Sequence, residues 1–209
     1  MIDDDLRLIY FRAPKTASTS FIRGIKLAGY NLRLLGNRDL KNKLHIINLN
    51  HIPSKFLKEI IEPDKFKKYY KVSFSRNPWD RMVSMYHMSC EYKRSSVYDS
   101  NKKARTFNNW IEDFKPQDPT LPQLGYPSHR HMMPISDFAE HADYIGRFEN
   151  AQESWNIICK KLGIPETKFP HVNRSPRAHY AKYYNDKTRE IIAEAYAKDI
   201  QYFGYEFEG

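Results

Sequence analysis

The first residues whose types and spacing could do chemistry form one short run, Pro14-Lys15-Thr16-Ala17-Ser18-Thr19-Ser20. It sits between an apolar stretch and a helix-like one. Backbone N–H groups at a helix start attract an oxyanion, and the helix dipole adds to that attraction. Thr16, Ser18, Thr19 and Ser20 add hydroxyl donors, and Lys15 adds a mobile positive charge. The plain alternative is an ordinary hydroxyl-capped helix with a surface lysine. The run is not a Walker A loop: it lacks both glycines of G-x-x-x-x-G-K-[ST], the lysine comes first, and Ala17 stands where a glycine would be expected. That weakens a kinase or ATPase reading.

A second run repeats the pattern: Ser73-Phe74-Ser75-Arg76-Asn77-Pro78-Trp79-Asp80-Arg81-Met82-Val83-Ser84-Met85-Tyr86. Asn77 is a good N-cap and Pro78 suits the first helical position, so Arg76 lies beside a helix start. A guanidinium binds phosphate through two parallel hydrogen bonds. Arg81 and Ser84 share a helix face at i, i+3, so a phosphate held by Arg76 could reach the Ser84 hydroxyl. The alternative is a structural network in which Arg81 pairs with nearby acids. Two strand-to-helix anion sites suit a ligand with two separated phosphate-like groups, such as a nucleotide substituted at both its 5′ and 3′ positions.

The elements that must position these runs follow from the apolar pattern. Leu6 to Phe11 reads as a buried strand, followed by a loop to Ser18 and a helix from Thr19 to Ala28 that Gly29 stops. Ile46 to Leu49 and Tyr144 to Phe148 are short strand candidates, and Tyr69 to Ser75 is a longer one. Helices are expected over Lys55 to Ile61, from Asn77-Pro78 onward, and over Thr106 to Phe114. Asn150-Ala151-Gln152-Glu153 has capping-box spacing and should open a helix ending near Gly163. Asp186 to about Phe203 reads as one amphipathic helix. Glu91 to Arg105 is polar and basic, a long loop or a frayed helix end. Pro116 to Pro134 and Pro165 to Tyr180 read as irregular. Strands alternating with helices point to an α/β fold with a mostly parallel sheet flanked by helices, in a single domain over residues 1–209.

Composition narrows the classes. The 209 residues are 41% hydrophobic, enough for a core and too apolar for a disordered chain. No apolar run approaches the roughly 18 residues that span a bilayer. Two cysteines, Cys90 and Cys159, cannot build a disulfide framework or a cysteine-based zinc site. The acidic start, Met1-Ile2-Asp3-Asp4-Asp5, lacks the order of a signal peptide. The net charge of +9 favours anionic partners. A basic nucleic-acid-binding module would also explain the charge, but no recognisable nucleic-acid motif is present, so no nucleic-acid partner is expected.

At these two runs the chain resembles the PAPS-dependent sulfotransferases, PAPS being 3′-phosphoadenosine 5′-phosphosulfate. Pro14 to Ser20 is similar to that family's 5′-phosphosulfate loop, and Arg76 through Ser84 and Tyr86 to its 3′-phosphate motif. Phe148-Glu149-Asn150, His171-Val172-Asn173-Arg174-Ser175, Asp199-Ile200 and Phe203-Gly204-Tyr205 resemble the carbohydrate branch, Golgi-type and bacterial. The resemblance implies a P-loop-like three-layer fold and transfer of a sulfuryl group from PAPS to an acceptor hydroxyl, with 3′,5′-bisphosphoadenosine (PAP) as product and no metal. It implies that Lys15 contacts the oxygen bridging sulfate and phosphate, that the loop Lys15, Thr16, Ala17, Ser18, Thr19, Ser20 holds the 5′-phosphate, and that Arg76 and Ser84 hold the 3′-phosphate. Asn173 to Arg177, with Ser175 and Arg177, would close over the nucleotide.

Sulfuryl transfer also needs a base for the acceptor hydroxyl. His51 follows the candidate strand Ile46 to Leu49, which should end on the same sheet edge as Lys15, and imidazole titrates near neutrality. A surface or capping role is the alternative. His129, Arg130 and His131 would contact a carbohydrate acceptor; two histidines at i, i+2 make a weak metal signal. The expected setting is cytoplasmic if the chain is complete, or the Golgi lumen if an N-terminal anchor was removed. A nucleotide-dependent phosphotransferase on a similar fold is the runner-up.

Overall fold

A computed structural model describes residues 1–34, 50–91, 106–112, 131–172 and 177–209. The strand candidate Ile46 to Leu49, nearly all of Glu91 to Arg105, and most of Pro116 to Pro134 lie outside the described residues, as do His129, Arg130 and Ser175. The chain divides into two compact units, residues 1–75 with 135–173, and residues 76–134 with 174–209.

The first unit carries the sheet. Its strands are β1 (Ile2–Asp3), β2 (Leu8–Tyr10), β3 (Tyr70–Ser75) and β4 (Tyr144–Arg147), in the order β1-β2-β3-β4. β2, β3 and β4 are parallel, with Tyr10 opposite Val72 and Ser75 opposite Arg147, and β1 runs antiparallel to β2. This is the expected α/β arrangement with a mostly parallel sheet. Parallel strands covered on both faces read as continuous apolar runs, as Leu8-Ile9-Tyr10 of β2 does; β3 alternates instead, with Lys71, Ser73 and Ser75 buried between its apolar residues. Leu8, Tyr10, Val72 and Phe74 turn to one face, where they meet Phe21 and Ile25 of α1 (Ser18–Leu27) and Trp155, Ile158 and Cys159 of α7 (Ala151–Leu162). Ile9 and Phe11 turn to the other, against Ile52, Leu57 and Ile61 beside α2 (Ser54–Ile60).

Close packing here makes a stability prediction. A Cβ built on Gly146 of β4 would lie 2.7 Å from the Phe74 ring and 2.9 Å from Ser154 Cβ. Phe74 is fully buried and cannot give way. Gly146→Ala is expected to cost about 1–3 kcal/mol, as overpacked core positions do. Chemical denaturation should show a lower midpoint with an unchanged slope; an unchanged midpoint would contradict this packing.

Other elements of this unit depart from expectation. β1 lies inside the acidic start, where no apolar pattern announces it. It is held because the Asp3 carboxylate accepts the N–H groups of Leu6 (2.9 Å) and Asn31 (3.0 Å). Two short helices, α3 (Pro63–Lys68) and α6 (Ser136–Ala139), were also unanticipated. α7 does start after Asn150 and stops at left-handed Gly163, but Asn150 makes no side-chain cap bond, so the expected capping box is absent there.

The second unit is helical: α4 (Pro78–Glu91), α5 (Phe107–Glu112), α8 (Asp186–Ala195) and α9 (Ala197–Phe203), with a 3-10 turn at Tyr180–Tyr183. Its core joins Trp79, Met82, Val83, Phe107, Trp110, Ile192 and Tyr196. The single helix expected over 186–203 is two helices. They part at Tyr196, whose φ of −118° leaves the helical range. Tyr196 is pinned there by its hydroxyl, which donates to the Met132 carbonyl at 2.7 Å. The capping box that Asn150 lacks occurs instead at Asn185 and Thr188. No helix among the described residues is long and apolar enough to cross a membrane.

Candidate functional site

In the first unit the candidate loop grows directly out of β2. Phe11 continues the ladder, its N–H bonded to the Val72 carbonyl at 2.8 Å and its carbonyl accepting from the Ser73 hydroxyl at 3.0 Å. Because β2 and β3 are parallel neighbours, the segments that follow Tyr10 and Ser75 leave from the same sheet edge. That carboxyl edge is where α/β sheets bind ligands.

The loop then makes an unusual turn. Lys15 and Ala17 both adopt left-handed backbone, at φ 62° and 61°. Each non-glycine residue there costs roughly 1–2 kcal/mol, so other contacts must enforce the turn. Buried Thr16 does so by donating its hydroxyl to the Ala13 carbonyl at 3.0 Å. The turn delivers the chain into α1, whose first turn has neither a side-chain cap bond nor an acidic residue. Its leading amides therefore keep their positive end of the dipole uncompensated by any carboxylate on that turn. Ala17 does stand at a position a glycine would adopt without strain.

The hydroxyls of this loop are used differently. Ser18 Oγ accepts from Arg12 Nε at 3.1 Å, and buried Ser20 Oγ accepts the Val172 N–H at 3.1 Å. Thr19 is exposed and Lys15 half-buried. With Thr16 and Ser20 engaged inside the fold, the backbone amides are the larger part of what the loop offers an anion.

Arg12 is a residue that sequence reading passed over. Its guanidinium donates to Ser18 Oγ and, through Nη1, to Asn50 Oδ1 at 3.0 Å. Among the described residues it forms no ion pair with a carboxylate, and burial lowers its pKa. The available signal was a basic residue at the strand end, directly before the loop. Its carbonyl also receives His51: Nδ1 lies 2.9 Å from Arg12 O. A carbonyl can only accept, so Nδ1 carries the proton and Nε2 is the basic nitrogen of the neutral ring. His51 thus stands at the end of β2 even though the strand expected before it lies outside the described residues.

In the second unit Asn77 caps α4 as expected, its Oδ1 accepting the N–H groups of Trp79 (3.0 Å) and Asp80 (3.4 Å). Arg76 is buried, and its Nε and Nη2 both reach Asp80 Oδ2, at 2.8 and 2.7 Å. Arg177 Nη2 reaches the other oxygen, Oδ1, at 2.6 Å. Two of the arginines expected at the nucleotide therefore meet on one carboxylate. Ser84 lies one turn beyond Asp80 on α4, half-buried. Arg81 has turned into the core. It is fully buried under the Tyr196 ring at 4.7 Å, donates to the Met133 carbonyl at 2.9 Å, and lies 3.7 Å from Asp199. Its role is structural. His131 is half-buried in this unit. Among the described residues no three His, Cys, Asp or Glu side chains gather closely enough to hold a metal ion.

Comparison with known proteins gives these features a family. The chain is 29% identical over 133 residues to an uncharacterized protein of Archaeoglobus fulgidus, covering 63% of this chain and 98% of that one. It is 23% identical to carbohydrate sulfotransferase 14 of Danio rerio over 98% of this chain and 61% of that protein. Against carbohydrate sulfotransferase 11 of the same fish the identity is 27%, over 85% of this chain and 56% of that protein. The matches thus span little more than half the length of these two carbohydrate sulfotransferases. No solved structure matches the chain. The sulfotransferase family model matches residues 1–206, across both units, and the chain belongs to the sulfotransferase family.

Proposed function

We propose that the chain, acting as one sulfotransferase domain of P-loop-like type, moves a sulfuryl group from PAPS to a carbohydrate hydroxyl by in-line displacement. The observation that carries this reading is the strained loop at Lys15 and Ala17 feeding an uncapped, acid-free α1 at the carboxyl edge of a parallel sheet. The carbohydrate acceptor is supported by the names of the two fish relatives.

PAPS supplies both the sulfuryl group and a phosphate that leaves as an anion. The residues present fit such a donor: positive backbone dipoles and Lys15 at one strand end, and the paired guanidiniums of Arg76 and Arg177 following another. Lys15 neutralises charge on the leaving oxygen, and the amides of residues 16–20 orient the 5′ group. Arg76, Arg177 and Ser84 hold the 3′-phosphate, with Ser175 adding to them. His51 Nε2 takes the proton of the acceptor hydroxyl, and His129, Arg130 and His131 contact the acceptor. Positioning and charge stabilisation supply most of the rate in such transfers.

The test is transfer of label from sulfur-labelled PAPS to a panel of desulfated polysaccharides. Label in a polysaccharide, insensitive to EDTA, is the expected result. Phosphoryl transfer from ATP and magnesium, with no sulfuryl transfer, would overturn the reading. Within it, Arg76→Ala should weaken PAP binding about 10–100-fold, the effect of losing hydrogen bonds to a charged group. Calorimetric titration should show AMP binding unchanged; equal PAP affinity in the variant would remove Arg76 from the site.

A further inference from the structure

Asp80 presents a puzzle: a carboxylate lies within the group of residues assigned to an anion. It sits in the first turn of α4, where the helix dipole favours an acid. Its own N–H is tied to Asn77 Oδ1 at 3.4 Å, so its position is set by the helix cap. Each of its oxygens is engaged by an arginine, Oδ2 by Arg76 and Oδ1 by Arg177, which lies 97 residues further along the chain. The three side chains are only 5%, 16% and 15% exposed, in the order Arg76, Asp80, Arg177. Such a pair of ion pairs is little screened by solvent.

Two guanidiniums and one carboxylate leave the group with a net charge of +1. Without the acid, two like charges at this separation would repel, and each guanidinium would lose the carboxylate that fixes it against its neighbour. With it, both forks are held in fixed planes before any ligand arrives. Pre-organisation of this kind raises affinity by removing ordering costs from the binding step.

We propose that Asp80 is a positioning residue that sets the preference for a 3′-phosphorylated nucleotide. It aligns Arg76 and draws Arg177 into the same phosphate site. The inference rests on the 3′-phosphate role proposed for Arg76. It adds that the selectivity comes from a carboxylate that need not touch the ligand.

The experiment titrates PAP and AMP into the parent chain, Asp80→Asn, Arg177→Ala and the double variant, with thermal unfolding of each as a check. Asp80→Asn keeps the side-chain shape and removes the charge. It should bind PAP ~10–100-fold more weakly while AMP affinity changes less than about twofold. Arg177→Ala should show the same selective loss, and the double variant should be no worse than Asp80→Asn alone, because the two residues act as a unit. Undiminished or tighter PAP binding by Asp80→Asn would overturn the inference. So would parallel weakening of PAP and AMP, which would mark a merely structural residue. If Asp80→Asn does not fold, Arg177→Ala decides alone, and unchanged selectivity there overturns the inference. A parent chain with no preference for PAP over AMP would instead remove the underlying 3′-phosphate reading, an outcome visible before any variant is made.

Discussion

Lys15→Ala is expected to abolish most turnover while leaving nucleotide binding nearly intact. The reasoning is differential: a cation aimed at an oxygen that becomes anionic only during transfer contributes little to ground-state binding and much to the transition state. Removing one donor of this type typically costs ~10²–10³-fold in kcat. Lys15 is also one of two left-handed residues in the loop. Alanine at that position keeps the same backbone demand, so the turn fixed by Thr16 should persist. Single-turnover kinetics with PAPS, set beside PAP titration, separates the two effects. Normal turnover in the variant would show that the lysine stands elsewhere in the chemistry.

His51→Ala carries the other large effect. General-base catalysis contributes about 10²–10⁴-fold, and the loss should fall on kcat more than on PAP affinity. The tautomer argument sharpens this. The Arg12 carbonyl holds the Nδ1 proton, so only Nε2 accepts a proton from an acceptor hydroxyl. His51→Ala with parental activity would return the residue to a capping role at the end of β2.

Much of the framework was legible because buried strands are rich in β-branched and aromatic residues. Leu8 to Tyr10 and Tyr70 to Ser75 announce themselves, and each is followed by a run rich in chemistry. The Asn77-Pro78 start was legible for a local reason: cap and first-turn preferences act within a few residues, and Asn77 caps as expected. Where tertiary contacts decide, the sequence was silent or misleading. Asp3 stabilises β1 through amides from Leu6 and Asn31, which no local pattern encodes. Tyr196 breaks an apparently continuous helix because its hydroxyl is held by Met132. Asn150 has the right spacing for a capping box and does not form one.

The site shows the same division. Lys15 and Arg76 stood out by type and position. Arg12 did not, because its significance lies in what it meets: Ser18, Asn50 and the His51 ring, contacts made by residues up to 39 positions away. The i, i+3 spacing puts Ser84 on one helix face with Arg81, but helical spacing cannot say whether that arginine faces a ligand or pairs with nearby acids, as it does with Asp199. Its burial under Tyr196 follows from the fold of the second unit.

The claim at the centre is that this chain recognises a nucleotide by anionic groups at both its 5′ and 3′ positions. Calorimetric titration of the parent chain with PAP, AMP and ATP tests it directly. A marked preference for PAP over both others is the result predicted here; equal affinity for PAP and AMP, or a preference for ATP that appears with magnesium, would contradict it.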